Sequence, residues 1–355
     1  MTGPRGAALA RGAAAETGPS PPETRPTMRR RALLLTTTVA TALAAPGLPR
    51  AQGAGGAWPN RPVRVINPYS PGGTTDVVMR LMAERLERAF GQPFVVESRP
   101  GAGGSVGTAY AAAATDGHTL LITNTGPLAV APTAIRGLAY DPASAFTYIT
   151  LFGGAPLVCA VRADGPIRTL ADYAAAARAR EEAVSSGNSG VGSMGHLGAL
   201  VFERASGARL LHVPFRGAPE AQAAVRSGAT TSLWDTVGAH AGAIRDGGLR
   251  ALAFTSAARV PLFPDVPTLA EAGFAAAEPV TNWFLLAGPL GLPGAVAARI
   301  NATCQAAMAE PAVAERVAAL GLVSLGDRAP DEIRAFVLAE GARWAPIVRE
   351  AGIAG

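Results

Sequence analysis

Two stretches of this chain place glycines and small hydroxyl residues where a helix begins. The first is Ser70-Pro71-Gly72-Gly73-Thr74-Thr75-Asp76, after the apolar run 63–66 and before a helical pattern. The second is Asn188-Ser189-Gly190-Val191-Gly192-Ser193, again after a short strand-like run and before a helical one. The first turn of a helix carries unpaired N–H groups and about half a positive charge. Glycines let an anion come close to those groups, and Thr74, Thr75, Ser189 and Ser193 add hydroxyl donors. Neither loop contains an arginine, and the chain contains no lysine, so an anion held there is held by amides and hydroxyls. The chemistry this pattern points to is capture of a negatively charged group. Asp76 has two readings: it caps its own helix, or it turns toward an amine on a ligand.

Other motifs carry less. Gly190, Gly192 and Gly195 match the dinucleotide fingerprint, which also needs an acid at the end of the next strand. That strand reads Arg209-Leu210-Leu211-His212-Val213 and ends at Pro214, with no acid. Gly103-Gly104-Ser105-Val106-Gly107 matches the nucleophile elbow, which needs a strand directly before it. Arg99-Pro100-Gly101-Ala102 stands there instead, so the pentapeptide reads as a glycine turn entering a helix. His196, His212 and His240 leave an exported serine hydrolase using Ser105 or Ser193 as the alternative from another class. No residue is assigned a catalytic role. The absence of lysine excludes a Walker phosphate loop, a Schiff base and Ser-Lys catalysis. No His/Cys cluster has metal spacing and no cofactor is expected. Cys159 and Cys304 read as separate buried thiols. Two strand ends complete the candidate set: Asn124-Thr125, with small polar donors, and Trp234-Asp235. Asp235 is either a helix cap or the charged group that reads a ligand's amine or hydroxyl. With Tyr69, Trp234 and Trp283 it is a candidate for the far end of a cleft.

The elements that must position these groups alternate strand and helix. Strands are expected at 63–66, 94–96, 119–123, 183–186, 209–213, 231–234, 249–255 and 283–287, with extended runs at 146–152 and 157–161. Helices are expected at 75–90, 104–114, 170–180, 193–206, 218–227 and 240–246, with two or three more closing the chain. Repeated βα units imply an α/β protein with mostly parallel sheets flanked by helices. The strand–glycine loop–helix unit occurs twice, so two lobes fit better than one. Strand ends facing each other then form a cleft. The stretches near 153–165 and 256–280 are the expected crossings between lobes.

The 49% hydrophobic content supplies a core. Residues 28–45, MRRRALLLTTTVATALAA, follow the pattern of an export signal. Residues 1–53 are therefore expected to be a leader, with cleavage between Ala51 and Ala57 and a periplasmic product. This segment also explains the high pI of about 9.8. It holds seven arginines against two acids, leaving twenty-four of each sign in the rest of the chain. A balanced body has no basic excess for neutralising phosphates, so a nucleic-acid partner is not expected.

The order of motifs is that of a known family. It runs NPYSPGGTTD, ESRPGAGG, DGHTLLIT, SSGNSGVGSMGHL, HVPFRG, SLWD, DVPTLAEAGF and WFLLAGP. From Trp58 onward the chain resembles the Bug-type extracytoplasmic receptors, the solute-binding proteins of tripartite tricarboxylate transporters. The resemblance implies a two-lobed periplasmic-binding-protein (Venus flytrap) fold that closes on a small carboxylate. It implies integral membrane permease subunits as partners, a monomer, and no enzymatic activity. A receptor that reports the same ligand to a signalling partner is the alternative within the family. Carried over by motif, the ligand-binding positions are Tyr69, Ser70, Gly72, Gly73, Thr74 and Thr75 in one lobe and Asn188 to Ser193 in the other. Asn124, Thr125 and Asp235 join them. Lobe 1 is expected to comprise 58–158 and 279–355, and lobe 2 to comprise 159–278. The sequence departs from the family pattern at Tyr69, usually phenylalanine, and at Gly126-Pro127, where a threonine-histidine pair is common.

Overall fold

A computed structural model describes residues 58–180 and 184–351. The expected leader and its cleavage region lie outside the described residues. The chain runs β1 (Val63–Asn67), α1 (Thr74–Phe90), β2 (Phe94–Ser98), α2 (Ser105–Ala112), β3 (Thr119–Asn124), α3 (Ala131–Ala134) and β4 (Phe146–Arg162). It continues through α4 (Leu170–Ala179), β5 (Ser185–Asn188), α5 (Met194–Ser206), β6 (Leu211–Pro214), α6 (Ala218–Ser227), β7 (Ser232–Thr236), α7 (Val237–Arg245) and β8 (Leu249–Phe254). β9 (Thr281–Pro289), α8 (Gly294–Ala309), α9 (Pro311–Ala318) and α10 (Pro330–Glu350) close it.

The strands are ordered β2-β1-β3-β9-β4-β7-β5-β6, with β8 on β4. The outer trios β2-β1-β3 and β6-β5-β7 pair in parallel, as βα units require. The middle strands pair antiparallel. The two extended runs expected at 146–152 and 157–161 are one strand. Residues 146–156 of β4 pair with β9, and the remainder pairs with β7 and β8. Every residue from Tyr148 to Val161 is buried, which suits a strand covered on both faces. β4 thus carries the chain from the first sheet into the second.

Alternation along these strands separates core from cleft. In β7 the Trp234 side chain lies opposite Leu233 and Asp235. It packs on Phe202 with ring centroids 5.4 Å apart, and its Nε1 donates to the Tyr173 hydroxyl at 3.3 Å. In β9, Trp283 packs on Phe336 and donates to Glu340 at 3.2 Å. Both tryptophans are core residues, not the cleft residues the sequence suggested. The sheet pleat turns them away while placing Asp235, Asn282 and Phe284 on the other face. Helix α1 buries Val78, Leu81, Met82 and Leu86, each contributing about 1.5–3 kcal/mol. It ends at Gly91, whose left-handed φ of 70° lets its N–H reach Glu87. Its start is thereby fixed against the sheet. Cys159 and Cys304 are buried and unbridged, and burial pushes the Cys304 thiol up to about 12.

Candidate binding site

The site is built from helix starts. Helix α1 begins after Gly73, an extended N-cap without a side chain to bond the first amides. Among the described residues, the amides of Thr74, Thr75 and Asp76 find no acceptor. Thr75 is engaged elsewhere, its hydroxyl donating to Asn67 Oδ1 at 2.9 Å. Thr74 is not: its Oγ1 is buried and has no partner among the described residues. Asp76 is drawn backward, accepting from the Gly72 amide and from Arg80, both at 3.0 Å. Asp76 thus bonds the loop before α1 and not the first amides of its own helix, and its Oδ1 is buried without a partner among the described residues.

Helix α5 begins differently. The Ser193 hydroxyl caps it, accepting from the His196 amide at 3.3 Å. Asn188 Oδ1 accepts from the Gly190 amide at 2.9 Å, and the His196 ring accepts from the Gly192 amide at 3.3 Å. Burial, aided by the neighbouring His212, pushes the His196 imidazole down to about 3, so the ring is neutral and able to accept. A third start, that of α7, follows Asp235. This carboxylate accepts from Ser189 Oγ at 2.6 Å and from the Thr236 amide at 2.7 Å, and His240 Nε2 lies 3.7 Å away.

These starts converge on one cavity of about 30 Å³, room for about two waters. Tyr69, Gly73, Thr74, Thr75 and Asn124 line one side, and Ser189, Ser193 and Asp235 the other. Among the described residues, Asp235 is the one charged side chain on its wall. Seven expected residues do not line it. Thr125 accepts from the Trp283 amide at 2.9 Å, and Asn188 is turned into its own loop. Ser70 and Gly72 lie beside α6, with Ser70 Oγ donating to Glu220 at 2.7 Å. Gly190 and Gly192 are buried, beside Gly103 and Ala131, and Val191 between them is 42% exposed. The sequence reading missed Asn282, Thr236, Ala239, Met194, Ala218 and Phe284. Asn282 Nδ2 donates to Thr236 Oγ1 at 2.8 Å, leaving Oδ1 buried and unpaired. A polar residue inside the apolar run of β9 was the available signal. Neither Ser105 nor Ser193 has a hydrogen bond to a histidine ring among the described residues; Ser105 accepts from Tyr140 at 3.5 Å.

The profile of the tripartite tricarboxylate transporter family receptor matches residues 78–353. The chain belongs to this receptor family. Its relatives include BugT of Bordetella pertussis, 35% identical over 299 residues, with 83% of this chain and 90% of BugT covered. The structure of MatC from Rhodopseudomonas palustris with bound malate superposes with a TM-score of 0.78 at 31% identity, covering 82% of this chain and all of MatC. A second R. palustris protein, Rpa4515 with adipate, gives 0.79 at 32% identity, covering 83% and 98%. The receptor's α/β architecture is thus that of periplasmic binding proteins, and the Bug-type resemblance is borne out. No helix among the described residues is long and apolar enough to cross a membrane.

Proposed function

We propose that this receptor captures a small carboxylate between two lobes in the periplasm and presents it to the membrane subunits of a tripartite tricarboxylate-type permease. The observation that carries this reading is the convergence of the α1 and α5 starts on one cavity without a cationic side chain on its wall. A carboxylate there meets the free amides of α1, the unpaired Thr74 hydroxyl and the start of α5. Each helix terminus contributes about 0.3–2 kcal/mol, and each charge-assisted hydrogen bond about 1.5–3 kcal/mol. Several such terms reach the roughly −8 kcal/mol of a micromolar complex after ordering costs. The malate and adipate held by the two R. palustris relatives support this ligand class. The cavity is smaller than such a ligand, so its entry requires the lobes, 58–158 with 279–355 and 159–278, to part. Tyr69, Gly73, Thr74, Thr75, Asn124, Ser189, Ser193 and Asp235 form the wall. Ser70, Gly72, Thr125, Asn188 and Gly190 to Gly192 support it from behind.

The test is mass spectrometry of ligand released on denaturation, paired with thermal shift against mono- and dicarboxylates. A released acid that raises the melting temperature is the expected result. A ligand-bound crystal with the acid paired to an arginine, or away from residues 70–75 and 188–193, would overturn it.

A further inference from the structure

We propose that Gly103, which does not itself line the cavity, is a positioning residue for ligand capture: it forms a backbone clasp that exists only when the lobes are closed. The turn Ala102–Gly104 follows β2 of the first sheet, and residues 190–193 follow β5 of the second. They meet main chain to main chain. A Cβ at Gly103 would sit 2.2 Å from the Val191 carbonyl oxygen and 2.8 Å from the Ser193 amide nitrogen. From the other side, a Cβ at Gly190 would sit 2.5 Å from the Gly103 amide nitrogen. Gly126 joins the same seam, its missing Cβ 3.1 Å from the Gly192 carbonyl oxygen. Gly103 and Gly190, one from each lobe, therefore allow a contact that any side chain would hold apart, and Gly126 adds a close approach that a methyl group would loosen.

The clasp is connected to the cavity. Tyr69 lines the wall, and its hydroxyl lies 2.9 Å from the Gly103 carbonyl and 3.0 Å from Asn124 Oδ1, two acceptors for its one proton. Behind the second loop, Ser193 lines the same cavity. A second seam crosses the lobes nearby: a Cβ at Gly217 would sit 3.0 Å from the Ser70 amide nitrogen, beside the Ser70–Glu220 hydrogen bond. Backbone contact of this kind buries little apolar surface, so it adds little intrinsic bias to the closed form. It sets how closely the loops approach and leaves the ligand to supply the rest of the closing free energy. A methyl group at Gly103 collides with Val191 only in the closed form, and so shifts the population toward the open one.

The test uses Val106 and Val191, which flank the seam and are 52% and 42% exposed. Both are changed to cysteine and joined by a short bismaleimide, while Cys159 and Cys304 are buried. The initial rate of crosslinking reads how often the lobes close, with or without L-malate or adipate added. Gly103→Ala is expected to lower that rate about tenfold or more. Gly117→Ala is the control for backbone strain: its φ of +65° matches the +61° of Gly103, but a Cβ there meets nothing within 4 Å. It should leave the rate unchanged. Gly126→Ala, at an ordinary φ, should lower the rate by a smaller factor and keeps the test open if Gly103→Ala unfolds. Equal rates in the parent, Gly103→Ala and Gly126→Ala would overturn the clasp. So would a parent that does not crosslink under either condition. Failure of L-malate and adipate to change the parent rate bears on the ligand class alone.

Discussion

The two helix starts that face the cavity are alike in sequence and opposite in state. The loop before α5 is satisfied from within: Ser193 caps the helix, Asn188 holds Gly190, His196 holds Gly192, and Ser189 holds Asp235. The loop before α1 is held from behind by Asp76 and Thr75, while its leading amides and Thr74 Oγ1 lack acceptors. One helix start is preorganised by its own side chains. The other has donors that only a ligand or water completes. Preorganised groups lose little entropy on binding, and unsatisfied donors gain most from it.

The difference makes the loops fail in different ways. The largest effect is expected from Gly190→Val, where a φ of +110° and the contact with Gly103 oppose any side chain. Affinity for the carboxylate identified by mass spectrometry should fall about a hundredfold, some 2.7 kcal/mol, with a lower melting temperature. Wild-type affinity in this variant would mean that the second loop does not need its glycine. Acid comes next. Between pH 6.5 and about 3 the unfolded His196 takes a proton that the folded ring refuses, so stability falls as pH falls. The slope reaches about 1.4 kcal/mol per pH unit, and His196→Gln should flatten it in urea melts across that window. An unchanged slope would remove His196 as the acceptor that holds the loop.

Gly73→Val should behave differently from Gly190→Val. Its φ is ordinary and the nearest atom to a new Cβ is 3.8 Å away, so the fold is undisturbed. The added methyls stand at the cavity wall, and calorimetry should show about a tenfold loss of affinity, near 1.4 kcal/mol. Smallest is Thr74→Val, which keeps the shape and removes the unpaired hydroxyl. Binding should weaken by about 1 kcal/mol, while the ligand-free melting temperature holds or rises. A loss of free-state stability would show that the hydroxyl is satisfied without ligand.

Much of this was legible along the chain. The glycine and hydroxyl pattern before α1 and α5 marks bare or capped helix starts because backbone sterics and capping act within a few residues. Asp76 illustrates the limit. Its two readings differ only in where the carboxylate turns, and Arg80, one helical turn on, helps to decide it. Asn282 was not legible, since a lone asparagine in an apolar strand gains meaning only when Thr236 and the cavity are beside it. The tryptophans were misplaced because an aromatic next to Asp235 or Asn282 in sequence points to the opposite face of the sheet.

By itself the sequence determined most of the strands and helices, though not α3 or the unity of β4, that the helix starts carry free or hydroxyl-capped amides, and that no lysine is available to an anion. Only the tertiary structure decided which starts share a cavity and that Gly103, Gly126 and Gly190 belong to one seam. The physical reason is range. Periodicity, capping and left-handed turns are settled within a turn or two of chain, whereas the clasp joins residues 87 positions apart (103 to 190) and the cavity residues 215 apart (69 to 284), brought together by the long strand β4 and its partners.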